Sequence, residues 1–221
     1  MTIGIALSVK SDLGVSPVSS IPYTMTLVFG IEMGKATIIF HVFLVLIQIL
    51  LLRKNFKWIN LFQILIGIVF GYFTTFCNYL VSLALPLSIS DYFPNIFTGM
   101  TVRVCMTLVS TFFVALGIFF YMPSSIMPLA GEGCMMAVSQ ITKIQFHKVK
   151  ISFDVTMVVI SLITCLIALH STGSVGIGTI AAAFLVGIIL GFLNKFFGKW
   201  RDSLLIPETE NSLNKSQQAT A

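Results

Sequence analysis

Apolar runs of two lengths alternate along the chain. Ala36–Leu52, Ile59–Leu85, Thr98–Met122, Ile151–His170 and Ile177–Phe197 are long and nearly uncharged. A helix needs about 20 apolar residues to cross a hydrocarbon layer about 30 Å thick, so each of these predicts a span. The shorter runs behave differently. Thr2–Val9 covers only about 12 Å as a helix, half a span. Lys10–Pro22 then carries two prolines, one glycine and four serines, which is broken backbone. Tyr23–Ile31 is apolar again but too short to span, even with Val18–Pro22 added, and reads as re-entrant or interfacial. Pro123–Gly133 is a second broken stretch, and Cys134–Thr142 is a second short, half-polar helix.

The pattern is duplicated. Residues 34–48 (GKATIIFHVFLVLIQ) and residues 147–161 (HKVKISFDVTMVVIS) lie 113 positions apart and agree at six of fifteen positions. These are Lys35/Lys148, Ile38/Ile151, Phe40/Phe153, Val42/Val155, Val45/Val158 and Ile47/Ile160. The same offset lays Ser11 on Ser124, so the broken loops coincide. Near Ser171 the offset grows to 120, and Gly67, Gly71 and Phe76 then meet Gly187, Gly191 and Phe196. Each unit reads span, broken loop with short helix, span, span. Such internal repeats decide a fold and are sought first. Met1 falls on Val114, so the first span lacks about its first half. A short, tilted or peripheral first helix and a truncated N-terminus are the two readings.

Charge placement orients the repeats. If each short helix returns to the side it left, one side holds Arg53, Lys54, Lys57, Lys143, Lys148, Lys150, Lys195, Lys199, Arg201 and Lys215. The other side holds only Lys10, Lys35 and Arg103. If the short helices cross fully, this bias vanishes. Basic loops stay in the cytoplasm, and Trp58 and Trp200 then both fall at the inner interface. The expected fold is an all-α integral membrane protein of two inverted-topology repeats. Each has three transmembrane helices plus a broken loop and short re-entrant helix, about six spans with the first truncated. The repeats cover residues 1–85 and 98–200, joined by an external loop at 86–97 and followed by a polar cytoplasmic tail at 201–221. The expected place is a bacterial cytoplasmic membrane, multi-pass, with the C-terminus inside.

Composition agrees: 57% of the 221 residues are hydrophobic, 10% are charged, and the mean hydropathy is +0.99. Soluble domains carry about 25% charged residues. The net charge of +5 is explained by the basic turns, so the bilayer, rather than nucleic acid, is the expected partner. Cys77, Cys105, Cys134 and Cys165 show no metal or disulfide spacing. No signal peptide is visible at Met1–Val9. There is no GxSxG, HExxH or P-loop; Gly173–Gly178 (GSVGIG) is a weak match in a turn. Neither an enzyme nor a cofactor or metal site is expected.

Candidate chemistry rests on polar residues at membrane depth, where a charge costs roughly 2.5–3.5 kcal/mol. Asp154, four residues into its span, either pairs with Lys150 one turn back or faces a cavity as a cation or proton site. His41, in the matching place of the first unit, bonds between helices or carries a proton. Glu132, between two glycines of the second broken loop, caps the short helix or faces substrate. Asp12 has the same two readings in the first loop. Ser16, Ser19 and Ser20 offer hydroxyls to a ligand or satisfy freed backbone. Arg103 is expected to snorkel outward. Gly67/Gly71 and Gly187/Gly191 at four-residue spacing let helices approach, within the chain or between copies.

The loop Lys10–Pro17 (KSDLGVSP), the block Gly34–Gln48, Phe146–Val155 (FHKVKISFDV) and Gly176–Gly191 (GIGTIAAAFLVGIILG) together resemble the YczE/YyaS/YitT group of small bacterial integral membrane proteins. The likeness runs from about Gly4 to Phe197. It implies a multi-spanning cytoplasmic-membrane protein of a group supposed to transport. The chain departs from the group in its shortened first helix and in Glu132, which stands where a Gly-acid-Gly motif has Asp. Two function classes follow. One is a small secondary transporter or channel for an unidentified polar solute or ion, with its site between the broken loops. The other is a non-transporting accessory protein that assists a partner complex.

Overall fold

The computed structural model describes residues 1–85, 96–121 and 128–205. Most of the 86–97 loop, the stretch 122–127 with Ser124, and the tail from 206 lie outside the described residues. The described chain forms eight α-helices: α1 (Thr2–Ser11), α2 (Pro17–Phe29), α3 (Met33–Leu52), α4 (Phe62–Ala84), α5 (Ile96–Tyr121), α6 (Ala130–Thr142), α7 (Phe146–Leu169) and α8 (Ile177–Leu205). Two short 3-10 turns, Arg53–Asn55 and Trp58–Leu61, join α3 to α4.

Among the described residues, five helices are long and apolar enough to cross a membrane: Met33–Leu52, Trp58–Ala84, Phe97–Tyr121, Lys148–Leu169 and Ile177–Gly198. The protein is an all-α multi-pass membrane protein. Its outward side chains suit a lipid solvent: Leu50, Ile167 and Phe184 are each 70% exposed or more. In lipid, apolar surface gives helices no reason to associate. What holds the bundle is close approach at small residues and hydrogen bonds between buried polar ones.

Both devices are visible. A Cβ on Gly71 of α4 would lie 2.7 Å from the Gly34 carbonyl oxygen of α3, and a Cβ on Gly34 would strike Gly71 and Thr75. α1 runs antiparallel to α5. The Ser110 hydroxyl donates to the Gly4 carbonyl at 2.7 Å, and the Thr107 hydroxyl donates to Ser11 at 3.2 Å. Leu13–Val15, between α1 and α2, docks backbone to backbone on the α7–α8 turn. Val15 N–H donates to Ser174 O at 3.3 Å and Gly178 N–H to Leu13 O at 2.8 Å. Gly14 at φ 105°, Gly176 and Gly178 leave room for this approach. The weak glycine pattern in that turn therefore has a packing role.

α2 and α6 are the short helices. Pro17 sits in the first turn of α2, where its missing N–H costs nothing. Gly30 ends α2 at φ 66°, the left-handed conformation glycine adopts freely. α6 starts at Ala130 rather than at Cys134, so Glu132 lies in its first turn and not in a loop. A carboxylate there complements the helix dipole. α8 continues to Leu205, past the expected span end at Phe197 and into the segment expected to be tail. Gly198 alone does not stop a helix.

The packing of one half echoes the other. α2 lies on α7 and α6 on α3; α1 lies on α4 and α5 on α8. One pair breaks the pattern. α3 and α4 form the most extensive contact in the bundle, whereas α7 and α8 barely touch. Gly187 and Gly191 of α8 accordingly have nothing within 4 Å.

Candidate functional site: two short helices meeting inside the bundle

The N-termini of α2 and α6 meet in the interior. A Cβ on Gly131, in the first turn of α6, would lie 3.9 Å from Cγ1 of Val18 in the first turn of α2. Ile21 packs with Ala130 and Cys134 beside them, against Phe40, Leu44 and Val45 of α3. Pro22 has no N–H to return to the Val18 carbonyl, so this first turn of α2 is short of one helical bond.

Polar side chains seat each N-terminus on a long helix. Ser20 and Ser161 of α7 are hydrogen-bonded at 2.9 Å, and the Ser20 hydroxyl donates to Pro17 O at 2.6 Å. One turn on, Thr24 bonds Ser174 at 2.6 Å, with the free thiol of Cys165 next to both. On the α6 side the seat is an amide pair. Gln48 of α3 and Gln63 of α4 are each 1% exposed. Gln48 Nε2 donates to Gln63 Oε1 and to Ala130 O, both at 3.0 Å. Gly133 makes room for them, since a Cβ there would lie 2.7 Å from the Gln63 amide. Gln48 Oε1 is buried without a hydrogen-bond partner among the described residues.

Beside this seat lies a charged cluster. Glu132 lies within electrostatic reach of the Tyr121 hydroxyl and of the Lys150 and Asp154 charges. Asp154 Oδ2 pairs with Lys150 Nζ at 3.0 Å, one helical turn back, while Oδ1 is buried without a partner among the described residues. At the same end of the bundle, Arg201 stacks on the Phe119 ring at 4.5 Å and donates to the Phe119 carbonyl and to Asn194. Phe119 is 2% exposed, so that end is filled.

The opposite end is hollow. A cavity of about 400 Å³ opens between the end of α1, α2, the start of α3, the end of α4 and the start of α5. Its polar lining includes Lys10, Asp12, Tyr23, Asn78, Ser82 and Arg103. Arg103 Nη1 pairs with Asp12 Oδ2 at 3.1 Å. The sequence suggests an outward-snorkelling Arg103, and the partner it meets here is itself 71% exposed. The Asp12 carboxylate captures it, and its side chain is only 22% exposed.

The candidate residues thus fall at separate places rather than in one pocket. Glu132 and Asp154 share a cluster at one end, and Asp12 lines the cavity at the other. Ser16 is the N-cap of α2, its hydroxyl 3.1 Å from that of Ser19. His41 faces neither group. It is 3% exposed, lies over Gly67 and stacks on Phe70 at 5.7 Å, with Nδ1 unpartnered among the described residues. Gly67 and Gly71 are in helix contact; Gly187 and Gly191 are not. Gln48 and Gln63 escaped the sequence argument. Their signal was present, as two amides inside otherwise apolar spans, and such groups at membrane depth bond between helices.

The model of a family of unknown function, DUF6198, matches residues 1–195. No curated protein and no solved structure matches the chain.

Proposed function

The chain belongs to the DUF6198 family of unknown function, and from that premise we propose that it is a small secondary carrier or channel for a polar solute or ion. One observation carries the reading: α2 and α6 meet N-terminus to N-terminus inside the bundle, Val18 against Gly131. Broken helices at membrane depth survive only where protein buries them or a cavity wets them, and half-helix N-termini at a repeat interface form the solute sites of many carriers. Val18 and Gly131 are equivalent positions at the 113-residue offset.

The proposal includes inverted repeats in a bacterial cytoplasmic membrane and a wider kinship with the YczE/YyaS/YitT group. The antiparallel α1–α5 pair and the crosswise seating of α2 on α7 and α6 on α3 support the inversion. In this reading the hollow end is external and the filled end cytoplasmic. Ala6 and Val81 line the cavity. Their counterparts at offsets 113 and 120 are Phe119 and Arg201, the residues that fill the other end. An outward-open carrier has this asymmetry, with equivalent positions open on one side and closed on the other.

Reporter fusions at Lys57, Lys150 and Leu205 test the topology. All three are expected to give cytoplasmic signals, and an external signal at Lys150 alone removes the re-entrant model. Transport is tested on purified protein by a thermal-shift screen against metabolites and salts, followed by uptake of any stabilising compound into proteoliposomes. Uptake that Glu132→Gln abolishes while the protein remains inserted supports a carrier. If Glu132→Gln and Asp154→Asn change no uptake and a partner still co-purifies, the accessory reading replaces it.

A further inference from the structure

We propose that His41 is a proton-operated latch on the α3–α4 seam: the seam closes on the neutral imidazole and opens when the ring takes a second proton. The latch rests on the carrier reading for its purpose, and on the geometry of the seam for its chemistry.

Gly34, His41 and Gln48 recur every seven residues, so they share one stripe of α3. Each meets a residue of α4. Gly34 meets Gly71, His41 lies over Gly67, and Gln48 bonds Gln63 at 3.0 Å. His41 is the middle contact, two helical turns or about 10 Å from either neighbour on the stripe. Gly67 leaves the room it needs, since a Cβ there would lie 2.9 Å from Nδ1 and 3.0 Å from the His41 Cβ. The ring stacks on Phe70. Packing alone does not explain the residue. Phenylalanine or leucine would fill the same seam without a polar atom. The imidazole instead buries Nδ1 with no hydrogen-bond partner among the described residues, which costs free energy in an apolar setting. Of the two roles open to His41, bonding between helices is absent at Nδ1, and proton binding is the one left.

The neutral ring is the form that fits a closed seam. It carries one N–H and one lone pair, whereas the protonated ring carries two N–H donors and a full charge. α3 packs on α2, α4 and α6. The titratable groups on these helices are Tyr23 on α2, Cys77 on α4, and Glu132 and Cys134 on α6, with Tyr72 and Tyr79 exposed on α4. On α3 itself, Lys35 pairs with Glu32 at the surface. None of them contacts the ring or acts on its charge. An imidazolium in the closed seam has no counter-ion among the described residues, and an unpaired buried charge is strongly destabilising. Water that enters between α3 and α4 supplies the proton and hydrates the charge. The same opening draws Gln48 away from Gln63 and loosens its hold on Ala130 of α6. Protonation at His41 thereby reaches the meeting of α6 with α2.

The test is thermal unfolding of the full chain in nanodiscs at about pH 7.5 and about pH 5.5, either side of the ordinary imidazole range. Wild type, His41→Leu and His41→Gln are compared. An exposed imidazole takes up its proton near pH 6.5, roughly, so below that pH the opened or unfolded chain binds a proton that the closed one does not. The stability is full above that pH and falls as the pH drops. Over the interval, wild type is expected to lose about 3–5 °C of melting temperature more than either variant. The comparison cancels the other titrating groups. Equal acid losses in wild type and both variants overturn the latch. So does a wild type that gains stability in acid relative to them, because that sign requires an acidic partner for the ring. Deuterium exchange over Ile38–Val45, corrected for the intrinsic rate, reads the opening itself. It is expected to rise in acid in wild type but not in the variants, and no rise in wild type overturns the latch. Flux is read separately in proteoliposomes. A latch in a chain that takes up no solute leaves the latch standing and removes the carrier reading. Uptake with equal acid losses does the reverse.

Discussion

Gly71→Leu is expected to be the most damaging single substitution at a helix contact, lowering stability by about 3 kcal/mol or preventing insertion. Overpacking a tight contact costs about 1–3 kcal/mol, and more when the obstacle cannot move. Here the first added carbon meets the Gly34 carbonyl oxygen at 2.7 Å and the Ile38 side chain. The oxygen belongs to helical backbone, so α3 and α4 must separate. That separation also loosens His41 over Gly67 and the Gln48–Gln63 bond across the same seam. Gly191→Leu is the matched control: it occupies the equivalent position in the second half, and a Cβ there meets nothing within 4 Å. Chemical unfolding in detergent micelles measures both. Equal losses in the two variants refute the packing argument, and a larger loss at Gly191 means the α8 face is covered by something in solution.

Gln48→Leu is expected to cost about 1–3 kcal/mol and, under the proposed carrier function, to abolish uptake. The leucine removes the donor to Gln63 Oε1, leaving that buried acceptor unmet, and the second bond to Ala130 O, which keeps its place in the α6 helical ladder. Comparable bonds in membrane helices average only about 0.6 kcal/mol in double-mutant cycles, because the unfolded helix also finds partners in the bilayer. Two bonds lost at one site set the expectation within the stated range. Gln48→Leu with Gln63→Leu is expected to recover part of the loss, since replacing both partners by apolar groups removes the orphan. Thermal unfolding of the two singles and the double gives the coupling. Strict additivity would show that the pair does not act as one unit. Uptake is expected to stay lost in the double, because α6 then has no polar anchor at Ala130 and its N-terminus is free to shift against Val18.

Lipid as solvent, long apolar spans and the alternation of long helices with broken, short ones were legible in the residues alone. The reason is physical. A spanning helix must satisfy its own backbone and present apolar side chains for about 20 residues, so it leaves a linear record. The Lys150–Asp154 pair was legible for a similar reason: four residues is one helical turn, and a local contact needs no tertiary information.

What the chain order could not express is which helix lies on which. Asp12 and Arg103 are 91 positions apart, Gln48 and Ala130 are 82, and Ser20 and Ser161 are 141. Only the folded bundle puts them in contact. It therefore separated residues the sequence had grouped: Asp12 went to the cavity, Glu132 and Asp154 to the far cluster, and His41 to the α3–α4 seam. It also divided two identical glycine spacings. Gly67/Gly71 close a contact and Gly187/Gly191 face open space, because spacing says that a helix can be approached and only its neighbour decides whether it is. The repeat was written in the sequence; the meeting of Val18 with Gly131, on which the functional proposal stands, was decided by tertiary packing.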